Sequence, residues 1–380
     1  MRSSVDVLTV GGGPAGAAVG FALAQSGQSV AVLTRERVNR PHIGETVPPA
    51  IIQPLVRLGL WEAFLSDGHA PVPSTMVCWG GVQPYEHEFI INPYGDGWHL
   101  DRARFDTMVM EGARAAGAQI EDMRPGSRID HDGAGWCVRL GGEPPRALRA
   151  PFLVDATGRG ASIGTHQGIP RYRDDRLIAL VRFGRAATSE PRTLIEACAE
   201  GWWYGAVLPR DRAVVAFFTD ADLVSAGATQ REAFWVRALS RTRLVRQMAA
   251  STEASRIYAA PANSSELSTC AGRQWLAVGD AARTLDPLSG QGLYSALESA
   301  NRATEVILGG CSESGLEAYA SQGAEEYRRH ISTRLEHYLR EDRWPDMPFW
   351  HRRHSKPQRI DNVRSTLWRD VSSFRDQSPG

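Results

Sequence analysis

The sequence has 380 residues, of which 43 are Lys or Arg, 43 are Asp or Glu and 42% are hydrophobic, a composition typical of a globular protein of two or three domains. This charge balance argues against a nucleic-acid partner, and no apolar run approaches the roughly 20 residues of a membrane helix. We expect a cytoplasmic protein without a structural metal, because no signal-peptide pattern is present and the five cysteines lack zinc-site spacing.

The first predicted element is an apolar strand that leads into a glycine-rich turn and then a helix. Val5–Val10 has the pattern of a buried strand, and the turn after it has the spacing Gly11-x-Gly13-x-x-Gly16. A helix over Pro14–Ser26 follows directly. The backbone amides of such a turn and the positive end of the helix dipole bind a pyrophosphate, so the pattern predicts a dinucleotide-binding unit.

The middle of the chain alternates between helical and strand-like patterns. Ile51–Leu65 and Asp101–Ala116 have apolar residues at helical spacing, whereas Met76–Ile91 and Leu177–Thr219 have the patterns of strands. The strand-rich region is long enough to predict a second, sheet-based domain.

A second glycine-rich segment follows in the last third of the chain. A strand beginning at Trp275 ends at Gly279-Asp280, and the turn Pro287–Gly292 opens a long helix at about Leu293. An aspartate at this position can bind a polyol, and a second helix N-terminus can bind another electronegative part of a ligand. Together with the first turn, this segment predicts a long ligand such as FAD.

These segments predict an α/β protein in which the cofactor residues are distributed over three parts of the chain. We expect a discontinuous Rossmann-type FAD domain with an inserted antiparallel-sheet substrate domain and a helical C-terminal region. The predicted boundaries are residues 1–75, 100–170 and 270–310 for the FAD domain, 76–99 and 171–269 for the substrate domain, and 311–380 for the C-terminal region. The substrate is expected to bind between the two domains.

Four segments resemble the single-Rossmann flavoproteins of the p-hydroxybenzoate-hydroxylase-like fold, which include class A aromatic monooxygenases, geranylgeranyl reductases and flavin-dependent tryptophan halogenases. They are GGGPAG near the start, LDRARFD at Leu100–Asp106, LVDATGRG at Leu153–Gly160 and GDAARTLDPLSGQG at Gly279–Gly292. A fifth segment, GETVPP at Gly44–Pro49, resembles the flavin loop of the halogenase-like branch.

The resemblance implies roles for residues in all five segments. It places Asp280 on the ribityl chain, Pro287 beside the isoalloxazine and the amides of Gly290–Gly292 at the flavin N1–C2=O edge. Where related folds carry an acid for the ribose, this chain has Thr34, with Glu36 two residues further on. The predicted cofactor-binding residues are Gly11, Gly13, Pro14, Ala15, Gly16, Thr34, Glu36, Gly44, Glu45, Thr46, Arg102, Asp155, Gly279, Asp280, Pro287, Gly290, Gln291 and Gly292.

Three features separate the chain from the halogenases that it resembles. Those enzymes use a lysine, and the only lysine here is Lys356. Their Trp-x-Trp-x-Ile-Pro strand is replaced by Trp202–Val207, and Ser289 stands where they have a glutamate. These differences argue against halogenation by the known route.

The sequence therefore predicts an FAD-dependent monooxygenase that hydroxylates an aromatic ring through a C4a-hydroperoxyflavin. The expected substrate is an indole or a tryptophan within a peptide, since Arg340–His354 resembles the tails of flavoprotein maturases that oxidise a peptidyl tryptophan. Tyr204 and Asp286 are the candidate polar groups near the reacting ring. NAD(P)H is the expected electron donor, either directly or through a partner flavin reductase.

Three alternatives remain open from the sequence. The first is a geranylgeranyl-reductase-like enzyme that reduces a carbon–carbon double bond. The second is a flavin-dependent halogenase with an atypical site. The third is an FAD-binding maturation partner without turnover of its own.

Overall fold

The computed structural model describes residues 4–35, 43–142, 146–187, 190–224, 227–249, 252 and 255–355. Within these ranges the helices are α1 (Pro14–Gln25), α2 (Ile52–Leu58), α3 (Trp61–Ser66), α4 (Arg102–Ala115), α5 (Ser162–His166), α6 (Ala228–Leu239), α7 (Val245–Ala249), α8 (Gly292–Leu308), α9 (Glu313–Leu339) and α10 (Pro348–His354).

The strands of the same ranges are β1 (Val7–Val10), β2 (Val30–Thr34), β3 (Thr46–Val47), β4 (Ala70–Val72), β5 (Ser74–Cys78), β6 (Tyr85–Glu88), β7 (Gly97–His99), β8 (Gln119–Asp122), β9 (Arg128–His131), β10 (Trp136–Leu140), β11 (Arg146–Ala150), β12 (Phe152–Asp155), β13 (Arg171–Arg173), β14 (Leu177–Arg185), β15 (Thr193–Cys198), β16 (Gly201–Leu208), β17 (Arg212–Asp220), β18 (Tyr258–Pro261), β19 (Ser265–Leu267), β20 (Ala271–Gly272), β21 (Trp275–Ala277) and β22 (Arg283–Thr284).

The first major layer is a six-stranded sheet of order β20-β21-β12-β1-β2-β8, called here the parallel sheet. All its pairs are parallel except β20–β21 at one edge. In β1 every residue is buried, with Val7 opposite Phe152 on one side and Val30 on the other. Helix α1 connects β1 to β2 and packs against α4 and α8. This arrangement confirms the predicted α/β class with a Rossmann-type sheet.

The second major layer is a seven-stranded sheet of order β18-β14-β17-β16-β15-β5-β6, called here the large sheet. Its pairs are antiparallel apart from β5 with β15. Because side chains alternate along a strand, the large sheet has two apolar faces. The Trp202 face carries Ala179, Val181, Trp202, Tyr204, Ala216 and Phe218. The Trp203 face carries Ile178, Leu180, Trp203, Val215 and Phe217.

Different helices cover the two faces of the large sheet. Helices α6 and α7 pack on the Trp203 face through Phe234, Trp235 and Val245. The end of α9 and the short helix α10 pack on the Trp202 face through Tyr338 and Trp350. Three small three-stranded sheets, β11-β10-β9, β13-β19-β22 and β3-β7-β4, complete the fold.

Two sequence expectations differ from the structure in detail. The helical pattern over Ile51–Leu65 forms two helices, α2 and α3, because the chain turns at Gly59, which has a left-handed φ of 72°. The apolar run Leu148–Val154 is divided between β11 and β12 at Pro151, so it belongs to two different sheets.

Helices of the described residues lack the combination of length and apolar character that crossing a membrane requires. In the same residues, no cluster of three or more His, Cys, Asp or Glu side chains is arranged to hold a metal ion.

Candidate active site

A cavity of about 1410 Å³ lies between the parallel sheet and the Trp202 face. Its walls are formed by the start of α1, the loop before β3, the turn before α8 and one side of α9. The predicted site residues that line it are Gly13, Pro14, Ala15, Gly44, Glu45, Thr46, Arg102, Tyr204, Gly279, Asp280, Asp286, Pro287, Gly290, Gln291 and Gly292. The structure therefore brings together residues from distant parts of the chain.

The start of α1 is suited to an anionic group. Gly11 has a φ of 118°, and a Cβ at this position would lie 2.0 Å from the carbonyl oxygen of Ala156, so the close turn requires glycine. The helix then begins at Pro14 with no side-chain cap at Gly13 and no acidic residue in its first turn. Its first amides therefore remain available to a phosphate at the cavity wall.

The start of α8 has the same character. Gln291, the residue before this helix, provides no side-chain cap, and the first turn contains no acidic residue. Gly290 turns the chain with a left-handed φ of 63°. Two uncapped helix starts thus meet one cavity, and their positive dipole ends fit a ligand with a pyrophosphate at one end and an electronegative ring edge at the other.

Asp280 lies between these two helix starts. Its carboxylate is 44% exposed, and the nearest cation is Arg159, with Nε at 3.6 Å from Oδ2. The backbone at Asp280 and at the residue after it is fixed, since Arg171 donates to the carbonyl oxygens of Asp280 and Ala281 at 2.8 Å. Asp280 can accept hydrogen bonds from the hydroxyls of a polyol, which is consistent with the ribityl chain of FAD.

Arg102 fixes the loop that precedes β3. Its Nη1 donates to the carbonyl oxygens of Ile43 at 2.5 Å and Gly44 at 3.0 Å, and Asp106 lies 3.1 Å from its Nη2. Much of the hydrogen-bonding capacity of the guanidinium is used within the protein. Arg102 therefore lines the cavity mainly as the support of the loop.

Glu45 is the least satisfied polar group of this loop. The residue is 3% exposed; Oε2 accepts the amide of Gly44 at 3.0 Å, and Oε1 has no hydrogen-bond partner within the described residues. Burial raises the pKa of the Glu45 carboxyl above its ordinary value, although Arg102 and Arg212 act in the opposite direction. A buried oxygen without a partner is costly, so Oε1 marks a place where a ligand can supply a hydrogen bond.

Tyr204 joins the loop to the large sheet. Its hydroxyl lies 2.5 Å from Oγ1 of Thr46, which connects β16 with β3. Burial raises the pKa of the Tyr204 phenol well above its usual range, and the nearby Glu45 carboxyl adds to this effect. Tyr204 is therefore neutral at physiological pH and acts as a hydrogen-bonding group.

Asp286 is buried, and other groups of the protein satisfy its carboxylate. Oδ1 accepts the amide of Leu288 at 3.0 Å, and Oδ2 accepts the hydroxyl of Tyr338 at 3.1 Å. The indole of Trp202 donates in turn to the Tyr338 oxygen at 3.0 Å. Burial raises the pKa of the Asp286 carboxyl, with Arg334 opposing. Asp286 thus connects the turn before α8 with the Trp202 face.

Sequence reasoning did not identify the contribution of α9. His330, Arg334 and His337 line the cavity from one side of this helix. The amide of Asp286 donates to Nε2 of His330 at 3.2 Å. Burial, with help from Arg334, lowers the pKa of His330 to about 4, so the ring is neutral. In the sequence, these three basic residues follow the second glycine-rich turn at helical spacing, and that pattern could have indicated that one side of this helix lines the site.

Some of the predicted cofactor residues do not line the cavity. Gly11 and Gly16 form the turn beneath the start of α1, and Thr34 ends β2 outside the cavity wall. Asp155 is completely buried, and its carboxylate accepts the amides of Thr157, Ile163 and Gly164, as well as the Thr157 hydroxyl, so it fixes the turn before α5. Glu36 lies outside the described residues.

Comparisons with known proteins agree with this geometry. The chain matches the family described as FAD binding domain over residues 4–333. It is similar to a putative FAD-dependent oxidoreductase, LodB, of Marinomonas mediterranea, with 29% identity over 361 residues, which are 93% of this chain and 97% of that protein.

Solved structures share the same fold. Peptidyl tryptophan dihydroxylase QhpG, essential for tryptophylquinone cofactor biogenesis, is 26% identical, with a TM-score of 0.78 and coverage of 93% of this chain and 80% of its own. The flavin-dependent halogenase CmlS is 23% identical, with a TM-score of 0.81 and coverage of 100% of this chain and 71% of its own. The predicted resemblance to halogenase-like flavoproteins is thereby confirmed.

Proposed function

The chain belongs to the FAD binding domain family and is an FAD-dependent oxidoreductase, and from this premise we propose that it hydroxylates the indole ring of a tryptophan within a peptide. The main support for this proposal is the position of the Trp202 face beside the cavity. It places an apolar wall with Ala179, Ala216 and Phe218 in the same cavity as the two uncapped helix starts. An aromatic ring would bind against this wall, beside the cofactor.

The glycine-rich turns, the exposed carboxylate of Asp280 and the uncapped starts of α1 and α8 support binding of FAD in this cavity. Bound FAD, once reduced, supplies the electrons that activate molecular oxygen. The protein contributes orientation of the ring and exclusion of water. One oxygen atom enters a ring C–H bond, the other leaves as water, and the donor provides two electrons.

Hydroxylation of an aromatic ring also requires that the displaced ring proton be removed. We assign this step to Oε1 of Glu45, which lines the cavity and has no partner in the described structure. Burial raises the pKa of this carboxyl, and a carboxylate with a raised pKa is a stronger base near neutral pH. Thr46 and Tyr204, hydrogen-bonded to one another beside Glu45, orient the loop toward the ring.

The polar groups argue against halogenation by the known route. The only lysine of the chain is Lys356, so no lysine lies among the cavity residues. Ser289, which replaces the glutamate of the halogenases, donates from Oγ to the carbonyl oxygen of Asp286 at 2.9 Å. It therefore closes the turn before α8. Oxygen transfer requires neither group.

For the electron source we propose NAD(P)H acting through a partner flavin reductase. The sequence contains two glycine-rich turns at predicted helix starts, and both are assigned to FAD. A third such turn, the pattern typical of a binding site for a nicotinamide cofactor, is not evident in the sequence, which favours a partner reductase. The rate of reduction by NADH with and without an added flavin reductase tests this assignment.

The test is incubation of the FAD-loaded protein with NADH, a flavin reductase and isotopically heavy oxygen, followed by mass spectrometry of the products. A tryptophan-containing peptide and free indole serve as substrates, with bromide present and absent. The expected result is a peptide that gains heavy oxygen regardless of bromide. A brominated product would support the halogenase alternative. With a geranylgeranyl compound as a further substrate, reduction of its double bond would support the reductase, and bound FAD that no donor reduces would support the maturation partner.

A further inference from the structure

The segment between β5 and β7 exposes an unusual amount of apolar surface. We call residues 82–94 the rim segment. Five large apolar residues in it are exposed, whereas large apolar side chains are elsewhere mostly buried. Their exposed fractions are 57% for Val82, 52% for Tyr85, 84% for Ile90, 92% for Ile91 and 42% for Tyr94. Exposed apolar clusters of this kind typically bind partners.

The rim segment is continuous with the cavity. Tyr85, His87 and Phe89 alternate along β6 and just beyond it, and all three line the cavity. The exposed Ile90 and Ile91 follow immediately. A molecule that covers the isoleucines therefore lies at the entrance to the space that we assign to the aromatic ring.

The rim segment also contains an open strand edge. β6 is the outermost strand of the large sheet and pairs only with β5 among the described residues, with Ser74 opposite Glu88 and Val77 opposite Tyr85. Its other edge presents backbone N–H and C=O groups that an extended peptide can pair with. The four residues of β6 are all exposed.

The charge of this region indicates which partner it fits. From Gly80 to Leu100 the sequence contains Glu86, Glu88 and Asp96 and no Lys or Arg, in a chain that has 43 basic residues. A basic segment would be attracted to this surface, and an acidic one would be repelled.

We propose that the rim segment is the docking site for an extended, basic segment of a protein substrate, which adds to β6 as a further strand and presents an aromatic side chain to the cavity. This proposal rests on the proposed hydroxylation of a peptidyl tryptophan. Three interactions would bind the peptide to the rim segment. They are main-chain pairing with β6, apolar contact with Ile90 and Ile91, and electrostatic attraction to the acidic side chains.

A second copy of this chain fits the surface poorly. If β6 of one copy paired with β6 of another, Glu86 and Glu88 of both copies would lie beside one another along the new pair of strands. Like charges on neighbouring strands destabilise the pairing. The charge pattern therefore favours a basic partner over self-association.

The experiment measures binding of fluorescent peptides to the FAD-loaded full chain by anisotropy, without turnover. The probe is Arg-Val-Arg-Trp-Val-Arg, and its matched controls are the same peptide with Glu in place of Arg and a backbone N-methylated form that cannot pair as a strand. We expect the basic peptide to bind more tightly than either control, by about tenfold or more, with an affinity that falls as salt is added.

Protein variants locate the site. Ile90→Ser and Ile91→Ser should each weaken binding by about tenfold, because each removes a large apolar contact. Both side chains are almost fully exposed, so thermal unfolding should not change. Leu308→Ser is the control, since Leu308 is 45% exposed at the end of α8 and lies outside the cavity wall.

The outcomes separate this proposal from the proposed function. Loss of peptide binding in the isoleucine variants, with hydroxylation of free indole unchanged, would support docking at the rim segment. Normal peptide binding without oxygen insertion into any substrate would support the docking and contradict the hydroxylation. Equal binding of the acidic peptide, or full binding by Ile90→Ser and Ile91→Ser, would overturn the docking. A wild-type dimer that these variants dissociate would overturn it in favour of self-association.

Discussion

Trp202 and Trp203 are neighbours on β16, and both are almost completely buried, yet their surroundings differ. Trp203 stacks on Phe217 with ring centroids 4.5 Å apart and meets Trp235 of α6 edge-on at 4.7 Å. Trp202 stacks on Phe218 at 4.0 Å, but its indole nitrogen donates to Tyr338, and the residue lines the cavity. One face of the large sheet is sealed by packing, and the other combines packing with polar contacts to the cavity.

Two buried carboxyl groups show the same difference. Glu196, on the side of α7, accepts the amides of Arg243, Leu244 and Val245 at 2.6 to 3.1 Å, so both of its oxygens are used. Glu45, on the side of the cavity, leaves Oε1 without a partner in the described residues. The Glu196 carboxylate is therefore satisfied within the protein, whereas Oε1 of Glu45 is available to a ligand in the cavity.

The largest expected effect on stability is that of Trp203→Ala. Removing this fully buried ring leaves a cavity under α6, so the free energy of unfolding should fall by about 3–5 kcal/mol. Urea unfolding of the full chain measures it. The control is Val236→Ala, which changes a residue of α6 that is 55% exposed and should have little effect. A loss below about 1 kcal/mol would contradict the description of this face as tightly packed.

The next largest effect is expected at the anchor of α10 on the Trp202 face. Arg353 lies 2.8 Å from Asp220, and their side chains are only 10% and 3% exposed. Arg353→Met should cost about 3 kcal/mol in urea unfolding, because it leaves Asp220 with Arg352 as its remaining cation. The double variant with Asp220→Asn should regain part of this loss. No recovery would indicate that Arg353 acts mainly by packing on Phe349.

The sequence predicts features that depend on neighbouring residues better than contacts between residues that are far apart in the chain. The turns at Gly11 and Gly290 were predictable, because each requires a glycine within a local strand–turn–helix pattern. Neighbouring residues of a strand point to opposite faces of a sheet, so Trp202 and Trp203 must lie on different faces. The sequence does not indicate which of these two tryptophans lines the cavity, because that depends on helices α6 and α9, which come from later in the chain.

The polar part of the site was less predictable for the same reason. His330 meets the backbone of Asp286 across 44 positions of sequence, and no local pattern encodes that contact. Asp155 is expected near the cofactor from its motif, and its carboxylate accepts the amides of Ile163 and Gly164 at the start of α5. A motif identifies the residue that a local turn requires, and the direction of its side chain is set by the surrounding fold.

A smaller effect is expected from Tyr338→Phe, which removes the hydroxyl between Trp202 and Asp286. The loss of these hydrogen bonds should lower the free energy of unfolding by about 1 kcal/mol. It should also alter the visible circular dichroism of the FAD-loaded protein, because Asp286 fixes the turn before α8. The matched control is Tyr319→Phe, where the hydroxyl donates to the carbonyl oxygen of Ala277. An identical change of the flavin signal in both variants would contradict a specific role of Tyr338.

The smallest effect at neutral pH, and the most informative, concerns Glu45→Gln. Burial raises the pKa of Glu45 above 4.5 in the folded protein, so the folded state holds this proton more tightly than the unfolded chain. The resulting stability is full below pH 4.5 and is lost as the pH rises through the raised pKa. Glutamine has no such proton. Urea unfolding over this range should therefore show that the variant gains stability relative to wild type as the pH increases.

Glu196→Gln is the matched control for the urea unfolding series, because Glu196 is a buried carboxylate that the protein itself satisfies. Its carboxylate accepts three backbone amides, and a glutamine would turn an NH₂ group toward one or more of them. This variant should lose stability at neutral pH, where Glu45→Gln should not. If both variants lost stability equally, Glu45 would also be a structural carboxylate. Its free oxygen would then no longer support a role in removing the ring proton.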